Sequence, residues 1–438
     1  MKHRNFSWLF ISTLLAIAVV IACSSNTEEA PVTHWTHFRG SQVNGHAAQD
    51  QLDAPLEWGE SQNIAWKTPI HGQGWSCPVI WEDQIWLTTA DAEGHNQHAL
   101  CIDRKTGEIL FDEQIFYNEN PRPLGNQVNT YASPSSAIED GRVYVNFGSY
   151  GTACIDTERF ETLWVRRDLP CNHFRGPAAS PIIFEDLLIL TFDGADFQYQ
   201  AALDKETGHT RWITGRTTRW RDVDQATGLP KRGGDFRKAY GTPKIVEVNG
   251  EPRMLITASY GAFSYNPRTG DEIWRLDHNG YSPASMALYD NGIAYLISGR
   301  SRPELMAIPA DQTGVIKEES IEWSVARGIP SMVSPILVNG LIFTIDNGGV
   351  IGCIDAETGE LIWQDRLPGE YYASPLHADG RIYFFNTHGV ATVISADEEG
   401  ERLAENTLED GFMATPAIIG DSIYARTTTH LYRIQAAE

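Results

Sequence analysis

The sequence predicts an all-β fold: an eight-bladed β-propeller of four-stranded antiparallel blades, closed by pairing an N-terminal strand with the C-terminal blade. Three observations carry this. A turn frame, Asp or Asn, then Thr-Gly three residues on, then an aromatic eight residues after the first position, recurs at Asp103, Asp204, Asn266 and Asp355. Eight times, Ser, Thr or Cys stands before Pro and a short apolar run, at Cys77, Ser133, Ser180, Thr242, Ser282, Ser334, Ser374 and Thr415. Between these marks lie dipeptides such as Asp140-Gly141, Asn291-Gly292 and Asn339-Gly340, which are hairpin turns, and no stretch shows helical periodicity. Four strands recurring at about 40 to 60 residues are a propeller blade.

From the N-terminus, Lys2 and Arg4 precede an apolar run over residues 8–22, and Cys23 follows. Residues 1–22 read as a secretory signal, too short and wrongly flanked for a stable span. Val20-Ile21-Ala22-Cys23 resembles a bacterial lipobox, so Cys23 is the expected lipidation site and residues 23–35 a tether. The propeller is expected over residues 36–438, as a monomer held to the bacterial envelope, at the outer membrane, by the lipid alone.

Within each unit the apolar runs before and after the Thr-Gly frame read as the third and fourth strands. Asp or Asn caps the loop between them, and Gly takes its left-handed position. Pro is tolerated at a strand start, where its missing N–H costs nothing. The frame fades in the fifth unit, which keeps Thr313-Gly314 and Trp323 around a longer turn, and in the seventh, where Glu399-Gly400 replaces it. The eighth unit supplies only three strands, and Ile64-Ala65-Trp66 is predicted to complete it. Trp66, Trp164, Trp212, Trp274, Trp323 and Trp363 then fall on outer strands, as wedges between blades.

Composition narrows the function classes. The formal net charge of −23 argues against a nucleic-acid partner, and the 13 Trp suit a large core. The cysteines after Cys23 show no CxxC or CxxCH spacing; Cys101, Cys154 and Cys353 recur two residues before the turn acid, so they read as packed thiols. No metal site is expected.

The frame, the eight units and the lipobox resemble the PQQ-like (quinoprotein-like) β-propeller repeat family. In length and anchoring the chain is similar to BamB-like lipoproteins. His37-Phe38-Arg39-Gly40 and Asp235-Phe236-Arg237-Lys238 resemble PQQ-like repeat lipoproteins of planctomycetes. The resemblance is specific for fold and weak for activity.

In such a ring the loops entering the inner strands share one face, and the sequence concentrates unusual residues there. The candidate ligand-binding set is His71, Trp75, Tyr131, Asn172, His173, Arg175, Asp193, Asp196, Arg237, Tyr240, Tyr281, Arg300, Tyr372 and His388. Aromatic faces of this kind stack a flat or sugar-like ligand while polar groups orient it. Residues 214–239, basic within an acidic chain, read as a lid or docking loop. The expected function is a binding or scaffold module for an envelope protein or polysaccharide, with no cofactor. The resemblance implies an alternative, a PQQ- and calcium-dependent oxidoreductase, although the vicinal Cys-Cys of methanol-dehydrogenase-type quinoproteins is missing. A polysaccharide-active enzyme using the funnel is the third reading.

Overall fold

Every predicted unit folds as one antiparallel sheet, its strands laid side by side in chain order. The protein is represented by a computed structural model that describes Met1 and residues 34–48, 53–125 and 128–436. The predicted signal segment and Cys23 lie outside the described residues. Eight sheets form the propeller. Their short inner strands, from Val79–Trp81 and Ala137–Glu139 round to Leu376–Ala378 and Ala417–Ile419, line the channel. Strand Ile64–Pro69 pairs with His430–Gln435 as the outer strand of the eighth blade, so the ring closes as predicted. No helix among the described residues is long and apolar enough to cross a membrane, which says nothing of strands.

The turn frame works through the neighbouring blade. Asp355 Oδ1 accepts from the Glu357 and Thr358 amides and the Thr358 hydroxyl, at 3.1, 2.7 and 2.8 Å. Gly359 sits at φ +74°, and a Cβ there would lie 2.6 Å from the Trp323 ring. Tryptophan of one blade thus lies flat on the turn glycine of the next, and its indole N–H donates to a carbonyl of that turn: Trp66 to Arg104, Trp164 to Lys205, Trp212 to Pro267, Trp323 to Ala356. The second unit departs from this pattern. Phe160, at φ +57°, stands where the glycine belongs, and the facing residue is Phe111, stacked on it at 5.4 Å.

Thr207 and Thr358, chiefly through their hydroxyls, hold the carboxyls of Asp204 and Asp355 below the usual range. Stability from such groups is present above the ordinary carboxyl pKa and is lost as pH falls through the lowered one. Replacing Asp355→Ala removes three acceptor contacts at one turn, and urea unfolding at pH 7 should show a loss of about 1 kcal/mol, with ligand binding unchanged.

Two strands were not legible as such. His34–Trp35 pairs with the inner strand of the first blade, so two residues of the expected tether belong to that sheet. Gly314–Ile316, from the long turn of the fifth unit, pairs in parallel with Glu272–Asp277 of the fourth blade and covers its edge.

Candidate functional site

The chain entering each inner strand bends over the channel, and there a hydroxyl from six blades and the Cys77 thiol of the first tie neighbouring blades together. Cys77 N–H donates to Ser135 Oγ, Ser135 to Ser180 Oγ, and Ser180 to Thr242 Oγ1, at 2.9 to 3.0 Å. On the other side Met286 donates to Ser334, Ser334 to Ser374, Ser374 to Thr415, and the Thr415 amide to Cys77 Sγ. Hence the residue before the proline is Ser or Thr because its side chain accepts from the previous blade. Units two and five correct the sequence reading. Their ring positions are Ser135 and Met286, not Ser133 and Ser282, because only the former lie two residues before the inner strand.

Below the ring, residues 34–48 close the channel. His37 Nε2 accepts from the Ile183 amide at 3.0 Å, so this imidazole is neutral, and burial pushes its pKa down to about 4. Lys244 Nζ donates to Val43 O, and His46 Nε2 lies 2.9 Å from Leu337 O. Phe38 faces upward as part of the floor of a cavity on the channel axis. All eight blades line this cavity, whose volume is about 320 Å³.

Six of the candidate residues meet here: Trp75, Arg175, Tyr240, Tyr281, Arg300 and Tyr372. The hydroxyls of Tyr240, Tyr281 and Tyr372 carry no protein partner among the described residues. Arg300 has one polar side-chain contact, the Met332 thioether at 3.8 Å. Its loop continues through Ser301 and Arg302, both in the left-handed region, a strained turn that aims Arg300 over the cavity.

The other candidates serve elsewhere. Tyr131 is buried, and its hydroxyl donates to Arg122 O at 2.7 Å. Asp196 Oδ1 accepts from the Asn172 amide, and His173 is buried without a partner for Nδ1, its pKa lowered to about 4 by burial. Asp193 forms a two-pronged ion pair with Arg216 at 2.7 Å, both side chains 1% exposed. Arg237 pairs with buried Asp222 at 3.0 Å and covers the Trp220 ring. The His388 amide donates to Asn386 within a turn of the seventh blade. His71 faces outward from the first blade. Spacing along a strand fixes which end of a blade a residue occupies, but not whether a loop points it inward.

Residues missed by the sequence reading come from the 214–239 insertion. It is a folded wall, not a lid. A further copy of the turn frame, Asp224 with Thr227 and Gly228, closes a small hairpin in it. The ion pairs of Arg216 and Arg237 clamp its two ends. Between them Arg232, Asp235 and Phe236 reach the cavity. Phe236 meets Tyr281 edge-on at 4.9 Å, and Arg232 lies over the Phe236 ring at 5.2 Å. Arg175 grips both Asp235 oxygens at 3.0 Å, and Lys238 donates to the same carboxylate. Burial opposes ionisation of Asp235, but these donors outweigh it and hold the carboxyl below its usual range. The repeated Asp-x-x-Thr-Gly at residue 224 was the signal that this stretch is ordered.

Sequence and structural comparisons agree with this architecture. A family profile described as outer membrane protein assembly factor BamB matches residues 261–403. Similar solved structures include a europium-containing methanol dehydrogenase (TM-score 0.66, 11% identity, 91% of this chain and 90% of that one). BamB from Moraxella catarrhalis superimposes with TM-score 0.56 and 12% identity over 84% of this chain and 99% of that one. The fold is an eight-bladed β-propeller of the kind these proteins share. Quinohemoprotein alcohol dehydrogenase ADHIIG from Pseudomonas putida HK5 is also similar (TM-score 0.59, 12% identity, 89% and 79% covered). No curated protein matches by sequence. At these identities the likeness is one of fold, and it joins dehydrogenases to an assembly factor.

The cavity itself tests the dehydrogenase chemistry. Calcium takes six to eight oxygen ligands, several of them carboxylates. Among the described residues the only carboxylate lining the cavity is Asp235, already held by Arg175 and Lys238. Its one cysteine, Cys77, is buried and bonded into the hydroxyl ring. These residues do not fit a calcium-assisted quinone site. Nor does one neutralised carboxylate supply the pair that glycoside hydrolysis ordinarily uses.

Proposed function

We propose that this PQQ-like propeller is a non-catalytic binding module of the bacterial envelope, anchored through Cys23, whose funnel takes an anionic, ring-bearing ligand: an acidic sugar unit of an envelope polysaccharide. The observation that carries the reading is the wall itself. Among the described residues Arg232 and Arg300 have no carboxylate partner beside a cavity whose one carboxylate is already neutralised, in a protein of net charge −23. Tyrosine faces and free phenol hydroxyls supply stacking and hydrogen bonds to a hydroxylated ring. Guanidinium forks match a carboxylate or phosphate in two-pronged fashion.

The test uses the tag-free mature protein on an array of acidic and neutral glycans, followed by calorimetry on the hits. Acidic glycans should bind, neutral ones should not, and Arg300→Ala should weaken binding about tenfold, the scale of one charge-assisted hydrogen bond of about 1.4 kcal/mol. Equal binding of neutral glycans, or unchanged affinity in a folded Arg300→Ala protein, would count against the proposal. Mass spectrometry of the mature N-terminus checks the anchor, since an unmodified peptide beginning elsewhere excludes it.

A further inference from the structure

Two imidazoles and a carboxylate converge outside the lining of the funnel, at the outer strands of the first blade. His71 lies in the chain that leaves Ile64–Pro69 of the eighth blade; His98 is on strand Asn96–Asp103, and Asp112 on the outermost strand, Ile109–Tyr117. Asp112 Oδ1 is 3.1 Å from both His71 Nε2 and His98 Nδ1, and Oδ2 is 2.9 Å from His71 Nε2. The two rings meet edge to face at 4.9 Å, and one donor atom from each of the three residues falls within 4.8 Å of the others.

The backbone holds His71 in this place. Thr89 Oγ1 donates to the His71 carbonyl at 2.6 Å, and Gln73 and Ala90 exchange both backbone hydrogen bonds, at 2.7 and 2.9 Å. Between them Gly72, at φ +70°, lets the loop press onto the sheet; a Cβ there would lie 2.5 Å from Ala90 O. A loop fixed so tightly keeps the half-exposed imidazole within reach of the sheet.

Donor chemistry and spacing decide what such a cluster takes. Tetrahedral zinc, with bonds of about 2.0–2.1 Å, holds its donors about 3.3 Å apart. Both carboxylate–imidazole separations are therefore within a few tenths of an ångström of what the ion requires, and a rotation of the half-exposed His71 ring closes the third. Two nitrogens and one carboxylate oxygen suit a borderline divalent ion over calcium or magnesium, which prefer all-oxygen sets. Exposure at the site leaves the fourth position to water.

We propose that His71, His98 and Asp112 form a binding site for a zinc-type transition-metal dication, placed across the seam where the closing blade meets the first. The sequence reading had expected no metal; His98 and Asp112 stand on two paired strands of the first blade, and His71 reaches them from the chain that enters it.

The experiment uses the tag-free mature protein, dialysed against chelator and titrated with Zn²⁺ by calorimetry and with Co²⁺ by visible absorption. One equivalent should bind, with the absorption of four-coordinate cobalt. His71→Ala/His98→Ala and Asp112→Asn should each weaken binding at least tenfold, whereas His209→Ala, at an exposed turn of the third blade, should leave it unchanged. Absence of a bound equivalent, or its retention by the folded double variant, would overturn the site.

Discussion

Asp193→Ala is expected to lower stability by about 3 to 5 kcal/mol, the cost of leaving a buried charge without its partner. Asp193 and Arg216 are 1% exposed and joined by two hydrogen bonds of 2.7 Å. Burial lowers the pKa of Arg216, but the Asp193 carboxylate and the Tyr265 hydroxyl more than compensate and hold the guanidinium charged. Removing the carboxylate strands that charge between Phe263 and Tyr265. Urea unfolding followed by tryptophan fluorescence measures the loss. The companion variant Asp193→Ala/Arg216→Met should recover most of it, since an apolar pair of similar volume is close to neutral in such a position. A loss below about 1 kcal/mol in the single variant would mean that water reaches the guanidinium. The pair also anchors the wall of the funnel, so proteolysis within residues 214–239 should accelerate in the single variant and not in the double one.

The second large effect concerns a seam where the blade-to-blade rule is inverted. In the first and second units phenylalanine faces phenylalanine where tryptophan elsewhere faces glycine: Phe111 carries the smaller ring because Phe160 fills the space that glycine leaves open. Phe160→Gly should relieve a left-handed backbone worth about 1 kcal/mol and lose an aromatic contact worth more, for a net cost of about 2 kcal/mol. Phe111→Trp alone should overpack the seam by about 1 to 3 kcal/mol. Together they rebuild the tryptophan-on-glycine pair, so the double variant should be more stable than the sum of the single effects by about 2 kcal/mol or more. Additive costs in a denaturation cycle would show that the two positions are independent.

How much of the site was legible follows from the same distinction. Trp75, Arg175, Tyr240, Tyr281, Arg300 and Tyr372 were placed on the loop face by counting from the inner strands, and the structure brings them to one cavity. Asp193 was placed there by the same count, yet its side chain turns sideways to Arg216, a partner 23 residues on. Periodicity assigns an end of the blade to a residue; the choice between channel, core and neighbour depends on partners that come from distant parts of the chain.

By itself, the sequence determined the number of blades, their four strands, the closing strand at residue 64 and the architectural role of Asp355, because each follows from local rules: alternation, turn chemistry and the cost of glycine's positive φ. Only the tertiary structure decided which side chains meet. The neutralisation of Asp235, the wall built from residues 232–236 and the approach of His71 to the strands of His98 and Asp112 join segments that share no local pattern. Their energies come from desolvation and charge pairing across blades, and those terms exist only once the ring has closed.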